Sequence, residues 1–198
     1  MASEIIIVSG LPRSGTSLMM QMLDSGGVPV LTDNVRTADT DNPRGYYEFE
    51  PVKAIQRDAT WLPAARGKAV KLVSQLLYDL PPGETYRIVF MERDLEEVLA
   101  SQEKMLGRLG RTPGPREDTR RAYAVHLERL HGWLRRQANM TVLCVRYNDL
   151  LERPREQADR VWEFLGGRAD AEGMVKAVDP SLYRNRKAGA EPAAGRPA

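Results

Sequence analysis

The chain has 198 residues, 42% apolar and 28% charged, which suits one globular domain with a full core and excludes disorder as its main state. Its 29 Lys and Arg against 27 Asp and Glu leave a net charge of +2, too small a field to hold a polyanion, so nucleic acid is not an expected partner. One cysteine allows neither an internal disulfide nor a multi-cysteine zinc site, and the early apolar run at 5–8 is too short for a membrane span or signal peptide, so a soluble, cytoplasmic protein is expected.

Residues 4–8 read as a buried strand. A turn-rich segment follows at 9–17, and then Leu18, Met19, Met22 and Leu23 fall on one helical face that Gly26-Gly27 ends. Residues 28–31 read as a second strand. Residues 32–47 are polar, with a turn at Asn42-Pro43-Arg44-Gly45, and 48–65 is predicted helical with Pro51 near its start and Pro63 near its end. Two more buried strands are expected at 68–73 and 86–91.

A helix from Asp94 to about Leu106 carries Leu95, Val98, Leu99, Gln102 and Met105 on one stripe, and Asp94, Glu96 and Glu97 suit the positive end of its dipole. Three Gly and two Pro make 107–117 a loop, which a lid would suit. A long helix is predicted over 119–137 with Tyr123, Leu127, Leu130 and Leu134 inward, then a strand over 141–147. Cys144 in that strand reads as a buried thiol rather than a nucleophile. His126 and His131 are five apart, not the four of a helical metal pair, and read as surface or flanking residues, so no metal is expected. Pro154 opens a helix over 154–165 with Ala158, Val161, Trp162 and Leu165 inward. The tail from Gly189 has no apolar period. Strands alternating with helices predict one α/β domain over 1–188, three layers around a mostly parallel sheet, with a flexible tail at 189–198. Ligands of such sheets bind at the carboxyl ends of the strands.

The first strand-to-helix turn is Gly10-Leu11-Pro12-Arg13-Ser14-Gly15-Thr16-Ser17. Glycines at both ends of a four-residue gap let the backbone curl with several N–H groups inward, and the helix start adds its positive end. Ser14, Thr16 and Ser17 add hydroxyl donors. The NTPase pattern GxxxxGK[ST] is broken, because its Lys position is Thr16 and the cation is Arg13, three residues earlier. The strand over 86–91 runs into Glu92-Arg93 and offers no clear magnesium-holding Asp, which disfavours an ATPase or kinase.

Residues 11–18 resemble the 5′-phosphosulfate loop of sulfotransferases that use 3′-phosphoadenosine 5′-phosphosulfate (PAPS), a loop that reads P-[KR]-[ST]-G-T-[TS]. In that family a strand ends in Arg and a Ser follows eight residues later, both on the 3′-phosphate. Here they match Arg93 and Ser101, with close to two turns of helix between them. The strand ending Tyr147-Asn148-Asp149-Leu150 resembles the family's Tyr-Glu-Asp-Leu, whose Tyr lies near the nucleotide. Glu163-Phe164-Leu165-Gly166 matches its usual helix ending. Arg186-Lys187-Ala188-Gly189 resembles the loop that closes over the 3′-phosphate.

The resemblance implies transfer of a sulfuryl group from PAPS to a hydroxyl or amine of a small-molecule or peptide acceptor, with PAP as product. Arg13 falls at the loop position of a catalytic cation, and Lys71 matches the Lys that also reaches the sulfuryl group. The histidine that cytosolic members carry two residues later is Val73 here. The Glu-Glu-Thr-Arg of tyrosylprotein sulfotransferases, whose second Glu is the base, falls on Asp33-Asn34-Val35-Arg36, which puts Asn34 at the base position with Asp33 beside it; the base is expected to be Asp33 or its rival next to Tyr46 and Tyr47, Glu48. A P-loop nucleotide kinase or hydrolase, and a non-catalytic PAP-binding protein, are the alternatives.

Overall fold

The computed structural model describes residues 4–33, 35–36 and 45–179. Its sheet has four strands, β1 (Ile5–Gly10), β2 (Ala69–Lys71), β3 (Tyr86–Glu92) and β4 (Met140–Arg146), all parallel and ordered β2-β1-β3-β4. All six residues of β1 are buried. Ile5 and Ile7 enter one core and Ile6 and Val8 the other, because successive side chains of a strand point to opposite faces. An unbroken apolar run is what a strand covered on both faces requires.

On one face lie α1 (Thr16–Ser25), α5 (Tyr147–Glu152), α6 (Pro154–Phe164) and α7 (Ala171–Lys176), contributing Met19, Leu23, Leu150, Val161 and Met174 to that core. The other face is covered by α2 (Leu62–Ala65), α4 (Arg116–Leu134) and 3-10 turns at Glu50–Ala54 and Ser74–Asp79, through Val52, Leu62, Leu77, Leu130 and Leu134. Between β3 and α4 runs α3 (Leu95–Arg108), capped by the Asp94 side chain on the Glu96 N–H. This is the expected three-layer α/β architecture. No helix among the described residues is long and apolar enough to cross a membrane.

Several elements differ from expectation. Residues 28–31 are not a strand but make one isolated bridge, Val30 to Ala69. Pro29 has no N–H to donate to a ladder, although its carbonyl accepts from Ala69 at 2.8 Å. The helix expected over 48–65 is two short pieces. Pro51 and Pro63 each sit in a first turn, and between them Asp58 bonds the N–H and hydroxyl of Thr60, a local turn that competes with helix. Trp162 points outward and is 45% exposed, because the inward stripe of α6 is Gln157, Ala158, Val161 and Leu165, and the next residue after Val161 lies about 100° round. Cys144 is half-buried on the sheet's outer strand. The helices α5 and α7 have no apolar periodicity to announce them, although Asp170, which bonds the N–H groups of Glu172 and Gly173, is an N-cap signal in the sequence. The 42–44 turn, Asn34, and the segment from residue 180, with Arg186, Lys187 and the tail, lie outside the described residues.

Candidate functional site

The carboxyl ends of the parallel strands share one edge of the sheet, and a cavity of about 370 Å³ opens there. Its lining includes Gly10, Pro12, Arg13, Gly15, Thr16 and Ser17 from the turn between β1 and α1. Glycine is required at both ends of that turn. A Cβ on Gly10 would lie 2.4 Å from Ser14 Oγ and 2.5 Å from the Met91 carbonyl, and one on Gly15 (φ 102°) 2.4 Å from the Tyr147 ring. Arg13, between them, adopts φ 71°. Gly15 is the N-cap of α1 and makes no side-chain cap bond, so the first amides of that helix face the cavity end of the loop.

Ser14 faces away from this cavity. Its amide bonds the Leu11 carbonyl at 3.1 Å, and its buried side chain borders a second cavity of about 460 Å³ lined also by Phe90, Val98 and Leu127. The loop therefore brings the hydroxyls of Thr16 and Ser17, but not of Ser14, to the first cavity.

Lys71 is placed by the end of β2, its side chain 11% exposed. Its Nζ donates to the Tyr46 carbonyl and, at 3.4 Å, to Ser17 Oγ, and lies 3.8 Å from Glu48 Oε1. Burial pushes its ammonium down to about 8, with Glu48 only partly opposing the shift. Glu48 also pairs with Arg36 at 2.8 Å, and the Arg36 guanidinium lies 3.4 Å from the centre of the Tyr46 ring. Arg36, Tyr46, Glu48 and Lys71 all line the cavity. Asp33 does not. Its carboxylate accepts from the backbone N–H groups of Glu50 at 2.6 Å and Val35 at 3.0 Å, and these bonds hold its pKa below the ordinary carboxylate value.

Arg93 and Ser101 meet the loop across a long stretch of sequence. Arg13 Nε donates to Ser101 Oγ at 3.0 Å, and Arg93 Nη1 donates to the Arg13 carbonyl at 3.2 Å. Ser101 is 3% exposed on α3, and Lys104 and Arg108 carry the same face along the cavity wall. Tyr147 is not a strand end but the first residue of α5. Its ring packs on Gly15 and under Arg93, 4.3 Å from the guanidinium, and burial raises its pKa above the ordinary phenol value.

Sequence reasoning missed Arg36, Lys104 and Arg108. The signal for Arg36 was its match to the Arg of Glu-Glu-Thr-Arg, and for the other two their helical spacing from Ser101, three and seven residues on. Away from the cavity, Glu92, His131 and Cys144 hold ligand-type atoms within 4.8 Å of one another. Burial, with Glu92 adding to it, pushes the Cys144 thiol up to about 11, which suits an inert thiol. His126 is half-buried and bonded to Ser74 Oγ at 2.9 Å.

The family model described as Sulfotransferase domain matches residues 3–190. By sequence the chain matches no curated protein. Among solved structures, it is similar to the sulfotransferase domain from the curacin biosynthetic pathway, with a TM-score of 0.51 at 16% identity over 91% of this chain and 89% of that one. It is also similar to a sulfotransferase from Mycobacterium tuberculosis, with a TM-score of 0.53 at 14% identity over 89% of this chain and 71% of the other. At such identities these structures bear on the fold alone.

Proposed function

The chain belongs to the sulfotransferase domain family, and from that premise we propose that it moves a sulfuryl group from PAPS to a hydroxyl or amine of a small-molecule or peptide acceptor. The observation that carries this reading is the meeting of two anion-binding sets in one cavity. Arg13, Thr16, Ser17 and Lys71 form one, Arg93 and Ser101 the other, and the bond between Arg13 and Ser101 joins them. A nucleotide with a phosphosulfate at one end and a 3′-phosphate at the other has the charge and the two-ended shape that this donor set fits. Gly10 and Gly15 let the loop pack tightly on Met91 and Tyr147, where any Cβ would collide.

When bound, PAPS supplies the sulfuryl group and a leaving bisphosphate. The chain's own residues then have separable tasks. Lys71, with the loop cation Arg13, whose side chain also reaches Ser101, neutralises negative charge growing on the bridging oxygen. Arg93 and Ser101 hold the 3′-phosphate, the guanidinium by paired N–H groups and the hydroxyl by one more. Tyr147 floors the site. Glu48 is the better placed base, because it borders the cavity 3.8 Å from Lys71, whereas the Asp33 carboxylate is occupied as a cap for the turn at Glu50–Ala54. No magnesium is needed in this scheme, since Arg and Lys provide the positive charge.

Calorimetry with PAP and with ATP in magnesium-free buffer tests the donor. Tight PAP binding with weak ATP binding is expected, and the reverse preference, or a magnesium requirement, would overturn it. Transfer of labelled sulfate to an acceptor panel tests catalysis. E48Q is expected to lower turnover by roughly 10²-fold while PAP affinity holds, and D33N to leave turnover close to wild type. Full turnover in E48Q would remove Glu48 as the base.

A further inference from the structure

Arg93 is held on several sides. Its Nε donates to Glu97 Oε2 at 2.9 Å, its Nη1 to the Arg13 carbonyl at 3.2 Å, and its guanidinium lies over the Tyr147 ring at 4.3 Å. The Arg93 and Glu97 side chains are 7% and 4% exposed, an i,i+4 pair at the start of α3. Glu97 Oε1 also accepts from Asn148 Nδ2 at 3.4 Å, so one carboxylate links α3 to the first turn of α5. In sequence Glu97 reads as one of three acids suited to a helix N-terminus. A carboxylate this deeply buried is not explained by the dipole, which surface acids such as Glu96 serve as well.

Burying two charges is costly, and apolar residues of similar size often stabilise a core as much or more. The pair has a use beside an anion site. Arginine is long and samples many rotamers, and two fixed partners leave it one. We propose that Glu97 is the positioning residue of the second anion site. It holds Arg93 in the orientation that receives the 3′-phosphate, and so sets the preference of the cavity for a 3′,5′-bisphosphorylated nucleotide over a 5′-monophosphate. The proposal rests on the reading of Arg93 and Ser101 given above. It also opposes simple electrostatics. A carboxylate repels a nearby phosphate, so on charge alone its removal tightens binding, whereas on geometry its removal weakens it.

Calorimetry on the full chain with PAP and AMP as probes separates these outcomes, using wild type, R93A, E97Q, E97D and R93A/E97Q. The expected result is a loss of PAP affinity of tenfold or more in E97Q, with AMP affinity within twofold of wild type. The double variant is expected to lose no more than R93A alone, because Glu97 acts only through Arg93. E97D keeps the charge but draws the carboxylate back by one methylene. It keeps the proposal testable if E97Q unfolds, and it too is expected to lose PAP affinity and not AMP affinity. Unchanged or tighter PAP binding in a folded Glu97 variant overturns the proposal. So do equal losses for PAP and AMP, which mark a merely structural role, and so does an additive double variant. If wild type does not prefer PAP, or R93A leaves the preference intact, the reading of the anion site itself has failed and the proposal falls with it.

Discussion

Lys71 is a cation kept where charge is disfavoured. With its pKa down at about 8 against the ordinary lysine value of 10.5, the folded state carries a penalty of about 3 kcal/mol for holding it protonated at neutral pH. The unfolded chain binds more protons than the folded one between those two values, so this penalty is fully present below pH 8 and fades as pH rises toward 10.5. K71M is therefore expected to be more stable than wild type at pH 7, by up to about 3 kcal/mol in urea unfolding, with the advantage shrinking above pH 8. A difference that ignored pH would sink this account. Turnover moves the other way, falling above pH 8 in wild type and lost in K71M. The residue itself was legible, since a Lys ending an apolar strand stands at the ligand edge of a parallel sheet. Its surroundings were not. Arg36 and Tyr46 reach it from a polar segment with no periodicity to place them.

At the level of elements, the turn between β1 and α1 works because α5 packs against it. The ring of Tyr147 sits where a side chain on Gly15 would be, and Gly15 also has a backbone conformation that favours glycine. G15A is expected to destabilise the protein by about 2 kcal/mol or more, through both the strained φ and the displaced ring, and to weaken PAP binding because that ring lies under Arg93. Denaturant unfolding and calorimetry check both effects, and an unaltered PAP affinity would separate Tyr147 from the anion site. The glycines, the cation and the following amphipathic helix were all readable, because local spacing encodes them. The direction of Ser14 was not, because it depends on the turn by which its amide bonds the Leu11 carbonyl. Likewise, the outward turn of Trp162 follows from a choice among adjacent apolar residues that only packing makes. Residues 28–31 resemble a strand by their apolar content, whereas Pro29 argues against a ladder.

On the scale of the whole molecule, the cavity gathers residues from the first loop, from the ends of β2 and β3, and from α3 and α5, which are far apart in the chain. A ligand contacting them all ties together pieces that unfolding would separate. PAP at 100 times its dissociation constant is expected to add about 2.7 kcal/mol, a rise of roughly 5–10 °C in melting temperature for a domain of this size. Scanning calorimetry with and without PAP reads this directly, and an unmoved midpoint at saturating PAP would contradict it. The net charge of +2 is compatible with such a site, because the cations that matter are placed one by one rather than massed.

The positive φ of Arg13 has a consequence for how this loop can vary. A side chain in that conformation costs roughly 1–2 kcal/mol that glycine would not. Glycine at this position would relax the backbone and remove the charge in one step. The shape of the loop and its chemistry thus make opposite demands on a single residue, and the chain has kept the charge and borne the distortion. A sequence optimised for stability alone would drift away from arginine at this point.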